Sequence, residues 1–123
     1  MNIFHFENIE AKDAGAGTSK VKVRWLINEE IGAKNFAMRL FEIESGGYTP
    51  LHVHDWEHEV FILEGEGLVV CEDEEKLFRS GDAIFISPKE KHQFRNIGKN
   101  LVKLLCLIPN KKSSETVSSC SCG

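Results

Sequence analysis

Residues 46 to 65, GGYTPLHVHDWEHEVFILEG, decide how this chain reads. Three histidines, His52, His54 and His58, fall within seven positions between glycines, and the rest of the chain holds only His5 and His92. His52 and His54 are two apart, so on a strand both imidazoles leave the same face, and His58 has the same parity. His92, in SPKEKHQFRN, follows a Pro-led turn and opens an alternating segment that can bring it up from a neighbouring strand. Four converging imidazoles without a metal would be a buried polar cluster lacking partners. Spacing alone therefore makes His52, His54, His58 and His92 candidate ligands of one metal ion.

The segments around this stretch read as short strands. VKVRWLI at Val21–Ile27 alternates apolar with basic residues, and NFAMRLFEIESGG runs as a second, long strand to the Gly46-Gly47 pair. His58–Leu63 and Leu68–Cys71 flank Glu64-Gly65-Glu66-Gly67, which predicts a hairpin. Lys76–Arg79, Ala83–Ile86, His92–Asn96 and Leu101–Ile108 complete the set, and no window holds a helical period. Many short strands broken by Gly, Pro and Asp predict an all-β antiparallel sandwich or barrel, a cup lined by every second residue. The expected organisation is an N-terminal segment and loop over 1–20, one barrel over 21–109, and a disordered Ser- and Cys-containing tail over 110–123.

Composition narrows the function classes. The chain has 123 residues and a net charge of −4, with 15 Lys and Arg scattered among 19 Asp and Glu. A basic stripe is absent, which argues against nucleic acid as a partner. The first fifteen residues, MNIFHFENIEAKDAG, offer neither a cationic nor an apolar leader segment, and nothing reads as a membrane span. Four cysteines, Cys71, Cys106, Cys120 and Cys122, accompany no secretion signal, so a reduced, cytoplasmic protein is expected.

The paired motifs resemble those of the cupin superfamily, over about residues 36 to 108. Gly46, His52, His54 and Gly65 match the first motif, and counting back from Gly65 puts His58 where that motif has Glu. Gly81, His92 and Asn96 match the second, with Ser87 in place of its Pro and Lys89 in place of its Gly. The run HVHDWEHE is similar to that of small four-histidine cupins. The resemblance implies a cupin double-stranded β-helix, a jelly-roll-like antiparallel barrel, with metal ligands at the four histidines and a homodimeric state. Looser motif spacing admits Glu59 as the ligand instead of His58, which would turn Phe61 and Leu63 inward and Val60 and Ile62 outward. Parity and the count from Gly65 favour His58.

Imidazoles suit iron, manganese, nickel, copper and zinc alike. The resemblance favours manganese or iron as the one divalent transition metal ion per chain. Four neutral ligands leave the ion its full double charge, which attracts an anionic or chelating oxygen ligand, and six-coordination leaves two positions open.

Alternation places Val102, Leu104, Cys106 and Ile108 on the inward face of LVKLLCLI, and Phe94 shares the parity of His92. If Glu42 and Glu44 face solvent, Arg39 lies inside with Phe41 and Ile43, a candidate anchor for a substrate carboxylate or enolate. The alternative is that Phe36, Met38 and Leu40 form the inward set, or that Arg39 pairs with an acid. Cys106 is either ordinary core or a thiol near the metal. The expected substrate pocket is therefore Arg39, Val60, Ile62, Phe94, Leu104, Cys106 and Ile108. Its apolar character fits a small, partly hydrophobic ligand better than a free sugar, and it offers no proton-delivering carboxylate. The resulting expectation is a non-haem metal-dependent oxygenase-type oxidoreductase, a dioxygenase acting on a small chelating substrate. The alternative is a non-catalytic ligand- or metal-binding sensor.

Overall fold

The computed structural model describes residues 1–110. Among them lie nine strands, two 3-10 turns (Phe6–Asn8 and Glu29–Ile31) and no α-helix. The strands are β1 Lys12–Asp13, β2 Ser19–Ile27, β3 Phe36–Tyr48, β4 His58–Glu64, β5 Glu66–Cys71, β6 Glu74–Arg79, β7 Ala83–Ile86, β8 His92–Arg95 and β9 Val102–Pro109. They form one curled antiparallel sheet in the order β6-β5-β8-β3-β9-β4-β7, with β2 also on β3 and β1 on β2. The fold is thus all-β and antiparallel, as the alternating short strands predict, with the sheet curled into a half-barrel. No helix among the described residues is long and apolar enough to cross a membrane.

The core is built in rungs across the inner face. Cross-strand partners run Trp25, Arg39, Cys106, Val60, Ile84 in one rung and Val23, Phe41, Leu104, Ile62 in the next. Arg39, Phe41 and Ile43 are all buried, which settles the face of β3. In β4, His58, Val60 and Ile62 are buried at 3, 4 and 0% exposure, whereas Phe61 and Leu63 keep 44 and 42%. The register that turns Glu59 inward is therefore not the one adopted.

Three expectations need correction. The predicted hairpin of the fourth and fifth strands does not form, since β4 pairs with β7 and β9 while β5 pairs with β6 and β8. Gly65, at φ +88°, carries the chain over the backbone of β9, where an added Cβ would stand 2.4 Å from the carbonyl oxygen of Leu101. The glycines thus mark a crossover between sheet halves rather than a tight return. The first twenty residues also belong to the fold, since Lys12 and Asp13 pair with Val23 and Lys22, and the Arg24 guanidinium donates to the Ile9 carbonyl at 2.6 Å. Asn110, assigned to the tail, is clasped instead: its amide donates to the carbonyl of Ala33 at 2.6 Å and its backbone N–H to Asn35 at 2.9 Å. The rest of the expected disordered tail, with Cys120 and Cys122, lies outside the described residues.

Candidate metal centre

Two strand starts and one loop carry the four histidines. His58 opens β4, opposite Ile86, and His92 opens β8, opposite Cys71. His52 is no strand residue but a single bridge to His92, with N–H to carbonyl distances of 3.1 and 2.9 Å in the two directions. His54 sits in the loop that follows, its carbonyl accepting from the Lys89 N–H at 2.6 Å. His52 and His54 thus do not share a strand, because Pro50 offers no N–H to a ladder and the chain bends at Asp55-Trp56. The alternation persists without the strand. His54, His58, Val60 and Ile62 are buried while Val53, Asp55, Glu57 and Glu59 are exposed.

The rings pack against one another. Centroids lie 4.3 Å apart for His52 and His54, 4.9 Å for His52 and His92, 4.6 Å for His58 and His92, and 5.3 Å for His54 and His58. His54 and His92 are farther apart, at 6.2 Å. Among the described residues no group of three or more His, Cys, Asp or Glu is set to hold an ion as the side chains stand. The fit of a metal is therefore judged on ring spacing and donor chemistry. Imidazoles at right angles around one ion, with nitrogens about 2.1 Å from it, place their centroids on the order of 4.5 Å apart, and opposed rings on the order of 6.5 Å. The observed distances fall close to that pattern, and rotation about χ2 moves the nitrogens while the centroids stay nearly fixed.

Donor chemistry agrees. Both ring nitrogens of His54 are buried and make no hydrogen bond, an arrangement that costs about 1–3 kcal/mol per group when nothing compensates it. Its ring stacks on Trp56 at 4.4 Å and 12°, which fixes its plane. His92 Nδ1 lies 2.9 Å from the Glu90 carbonyl, which can only accept, so Nδ1 is the donor and Nε2 is the nitrogen left to face an ion. The residues present fit a divalent ion.

Beside the rings is a small cavity of about 20 Å3, lined by His52, His58, His92, Phe94, Leu104 and Cys106, with Phe41 and Thr49. That is room for about one water molecule. Phe94, Leu104 and Cys106 thus stand where sequence alternation put them, whereas Val60, Ile62 and Ile108 are buried in the core without lining the cavity. Arg39 is fully buried and is not among the residues lining this cavity: its guanidinium lies over Trp25 and Phe41 and donates to Cys106 Sγ at 3.0 Å. Cys106 stands between that charge and the cavity. Burial pushes the Cys106 thiol above its ordinary value, and the Arg39 charge opposes this only in part. Among the described residues no carboxylate lines the cavity.

Three residues escaped the sequence reading in whole or in part. Thr49 lines the cavity and its hydroxyl accepts from the Phe94 N–H at 2.9 Å, splinting β8 to the histidine loop. Trp56 shares the even parity of His52, His54 and His58, which was the available signal. Asn96, with ligand parity in the sequence, is structural, its amide donating to the Ile43 and Asn100 carbonyls at 2.8 Å each. A surface depression of about 980 Å3 lies at the Gly65, Gly81 and Gly98 turns, and none of its described lining residues is a histidine.

Comparison with known proteins accords with this architecture. Residues 39–108 match the cupin domain family, so the chain belongs to the cupins. The polyketide cyclase RemF from Streptomyces resistomycificus superposes with a TM-score of 0.86 at 29% identity, covering 98% of this chain and 89% of that one. A predicted oxalate decarboxylase from Thermotoga maritima gives a TM-score of 0.77 at 24% identity, over 89% of this chain and 99% of that one, a likeness of fold alone. The uncharacterized protein MJ1618 of Methanocaldococcus jannaschii is 42% identical over 62 residues, half of this chain and half of that protein's length.

Proposed function

We propose that this chain is a metal-dependent enzyme in which His52, His54, His58 and His92 hold one divalent transition ion and a small organic substrate chelates through two oxygens. The observation that carries the reading is His54, an imidazole with both nitrogens buried and without hydrogen bonds, packed among three other imidazoles. A divalent ion held by the four histidines would supply Lewis acidity, polarising a chelating oxygen ligand and stabilising negative charge on it. The chain's own groups support the same chemistry. Neutral imidazoles leave the centre attractive to anions, Phe41, Phe94 and Leu104 give the cavity an apolar wall, and the buried Arg39 charge stands behind Cys106.

With manganese or iron as the ion, the reading is an oxygenase-type oxidoreductase that uses dioxygen beside the bound substrate. The similarity to a polyketide cyclase favours a second reading, in which the same centre activates a carbonyl for ring closure and consumes no oxygen. Elemental analysis of the purified full chain tests the centre, with about one transition ion per chain expected for a single four-ligand site. Turnover of diketones and keto acids with oxygen uptake marks the oxygenase. Turnover without uptake marks the second reading, and tight binding without turnover marks a sensor. A chain that retains no transition metal overturns the proposal.

A further inference from the structure

We infer that the cleft between β6 and β7 binds the apolar body of the ligand whose oxygens the four histidines address. The inference rests on the proposed metal centre for the oxygens and on the cleft's own shape and chemistry for the body. β6 and β7 are joined through the turn at Ser80, Gly81 and Asp82, yet they do not pair and form the two ends of the sheet order. Between these splayed edges lies a cleft of about 380 Å3. That volume is within the roughly 300–1,000 Å3 typical of small-molecule sites, whereas the cavity beside the histidines admits about one water. A ligand that reaches the histidines with two oxygens must keep the rest of its atoms elsewhere.

The cleft is the adjoining space. Its floor is Val69, Phe78, Ile84 and Ile86. Ile86 is the cross-strand partner of His58, and Ile84 that of Val60, at the end of the rung that carries Cys106 and Arg39. Val69 is the partner of Phe94, whose ring lies 6.1 Å from Phe78 on the cleft side and 6.4 Å from His92 on the other. One layer of side chains, with Phe94 at its centre, separates cleft from imidazoles. An aromatic ring with few polar demands is the part of such a layer that can turn aside.

Charge at the cleft selects the class of ligand. Glu74, Asp82 and Glu90 outnumber Lys76. The carboxylates disfavour an anionic body, and the floor of Val69, Phe78, Ile84 and Ile86 fits a flat, apolar one, an aryl or short acyl group, carried on a chelating pair of oxygens.

Benzoylacetone, with a phenyl group on a β-diketone, and acetylacetone, with the diketone alone, separate body from oxygens. Each is titrated into the full chain, zinc-loaded and zinc-free, with methyl resonances as the readout. Benzoylacetone is expected to bind the zinc-loaded chain about tenfold or more tightly than acetylacetone, from burial of its ring, and to shift the Ile84 and Ile86 methyls. Ile84→Asp should cancel that advantage with acetylacetone affinity and zinc content unchanged, and Ile84→Ala, a milder change, should reduce it. Equal affinities for the two diketones, shifts confined to Thr49 and Val53, or equal weakening of both ligands by Ile84→Asp would overturn the cleft. A chain that binds no zinc yet still shows the Ile84 and Ile86 shifts with benzoylacetone supports the cleft and defeats the metal centre. Absence of those shifts in both forms overturns the cleft whatever the zinc content.

Discussion

His58 and Glu59 are neighbours in sequence with opposite roles, and side-chain parity separates them. From His52 to Ile62 the even positions are buried or half-buried and the odd ones exposed, although Leu51–Glu57 contains only one bridge residue. The candidate ligands were legible because inward and outward alternation survives an irregular backbone. What supports them was less so: the splint from Thr49 to Phe94 and the placement of Cys106 before Arg39 join residues far apart in sequence, whereas the stacking of Trp56 on His54 is local. We expect His58→Ala to lower metal occupancy about as much as His52→Ala, and Glu59→Gln to leave it nearly intact, because an exposed carboxylate adds only weak surface electrostatics. Elemental analysis of the three variants checks this, and loss of the ion in Glu59→Gln alone would transfer the ligand role. Cys106 makes a separate prediction. Its native thiol holds its proton to higher pH than in the unfolded chain, so the unfolded state releases that proton first as pH rises past about 8.5. Stability is then full below that value and is lost as pH climbs through the native pKa. Urea unfolding between neutral pH and pH 10 should show a shallower alkaline decline for Cys106→Ser, with the remaining slope shared by Cys71, whose thiol is also pushed up.

Single elements show where local sequence stops being informative. The residues of Glu64 to Gly67 suit a hairpin turn and a crossover equally well, and the contact that decides is with Leu101, far along the chain. The Lys89 turn is the reverse case. Lys stands where the cupin motif has Gly, yet the backbone keeps φ at +70° and the Lys89 N–H reaches the His54 carbonyl at 2.6 Å. Closing that turn on the histidine loop holds a β-carbon in left-handed backbone, at a cost of about 1 kcal/mol. Gly65→Ala and Lys89→Gly should therefore move stability in opposite directions. The first adds left-handed strain and a contact that the β9 backbone must shift to relieve, a loss of about 3 kcal/mol. The second releases strain and yields a gain of about 0.5 kcal/mol after the extra entropy of unfolded glycine. Urea midpoints at unchanged m-value measure both, and a loss of stability in Lys89→Gly would show that the Lys side chain contributes more than its backbone strain removes.

At the scale of the molecule, the spacing of short strands made an all-β antiparallel fold legible, and the paired motifs carried the resemblance to cupins that the family match bears out. The way the sheet fails to close, with β6 and β7 apart, was not legible, because an edge strand and a paired one carry the same alternation. The same architecture sets how the fold depends on the ion. The apolar rungs from Val21 to Ile108 continue through β2, β3, β9 and β4, whereas the histidines lie at strand starts and in one loop. An ion at that end stabilises by linkage, about 2.7 kcal/mol when its free concentration is a hundred times its Kd, against a total of roughly 5–15 kcal/mol for a domain of this kind. Chelation should thus lower the thermal midpoint while the far-ultraviolet β signature and cooperative unfolding persist. The loosening should be local, because the ion is expected to complete the unpaired nitrogens of His54. Amide exchange after chelation is expected to quicken over Thr49–Glu57 and at Lys89–His92, which these contacts tie together, and to stay slow in β3 and β9. Exchange that rises equally across all strands would mean instead that the ion holds the barrel itself, as a closed structural site would.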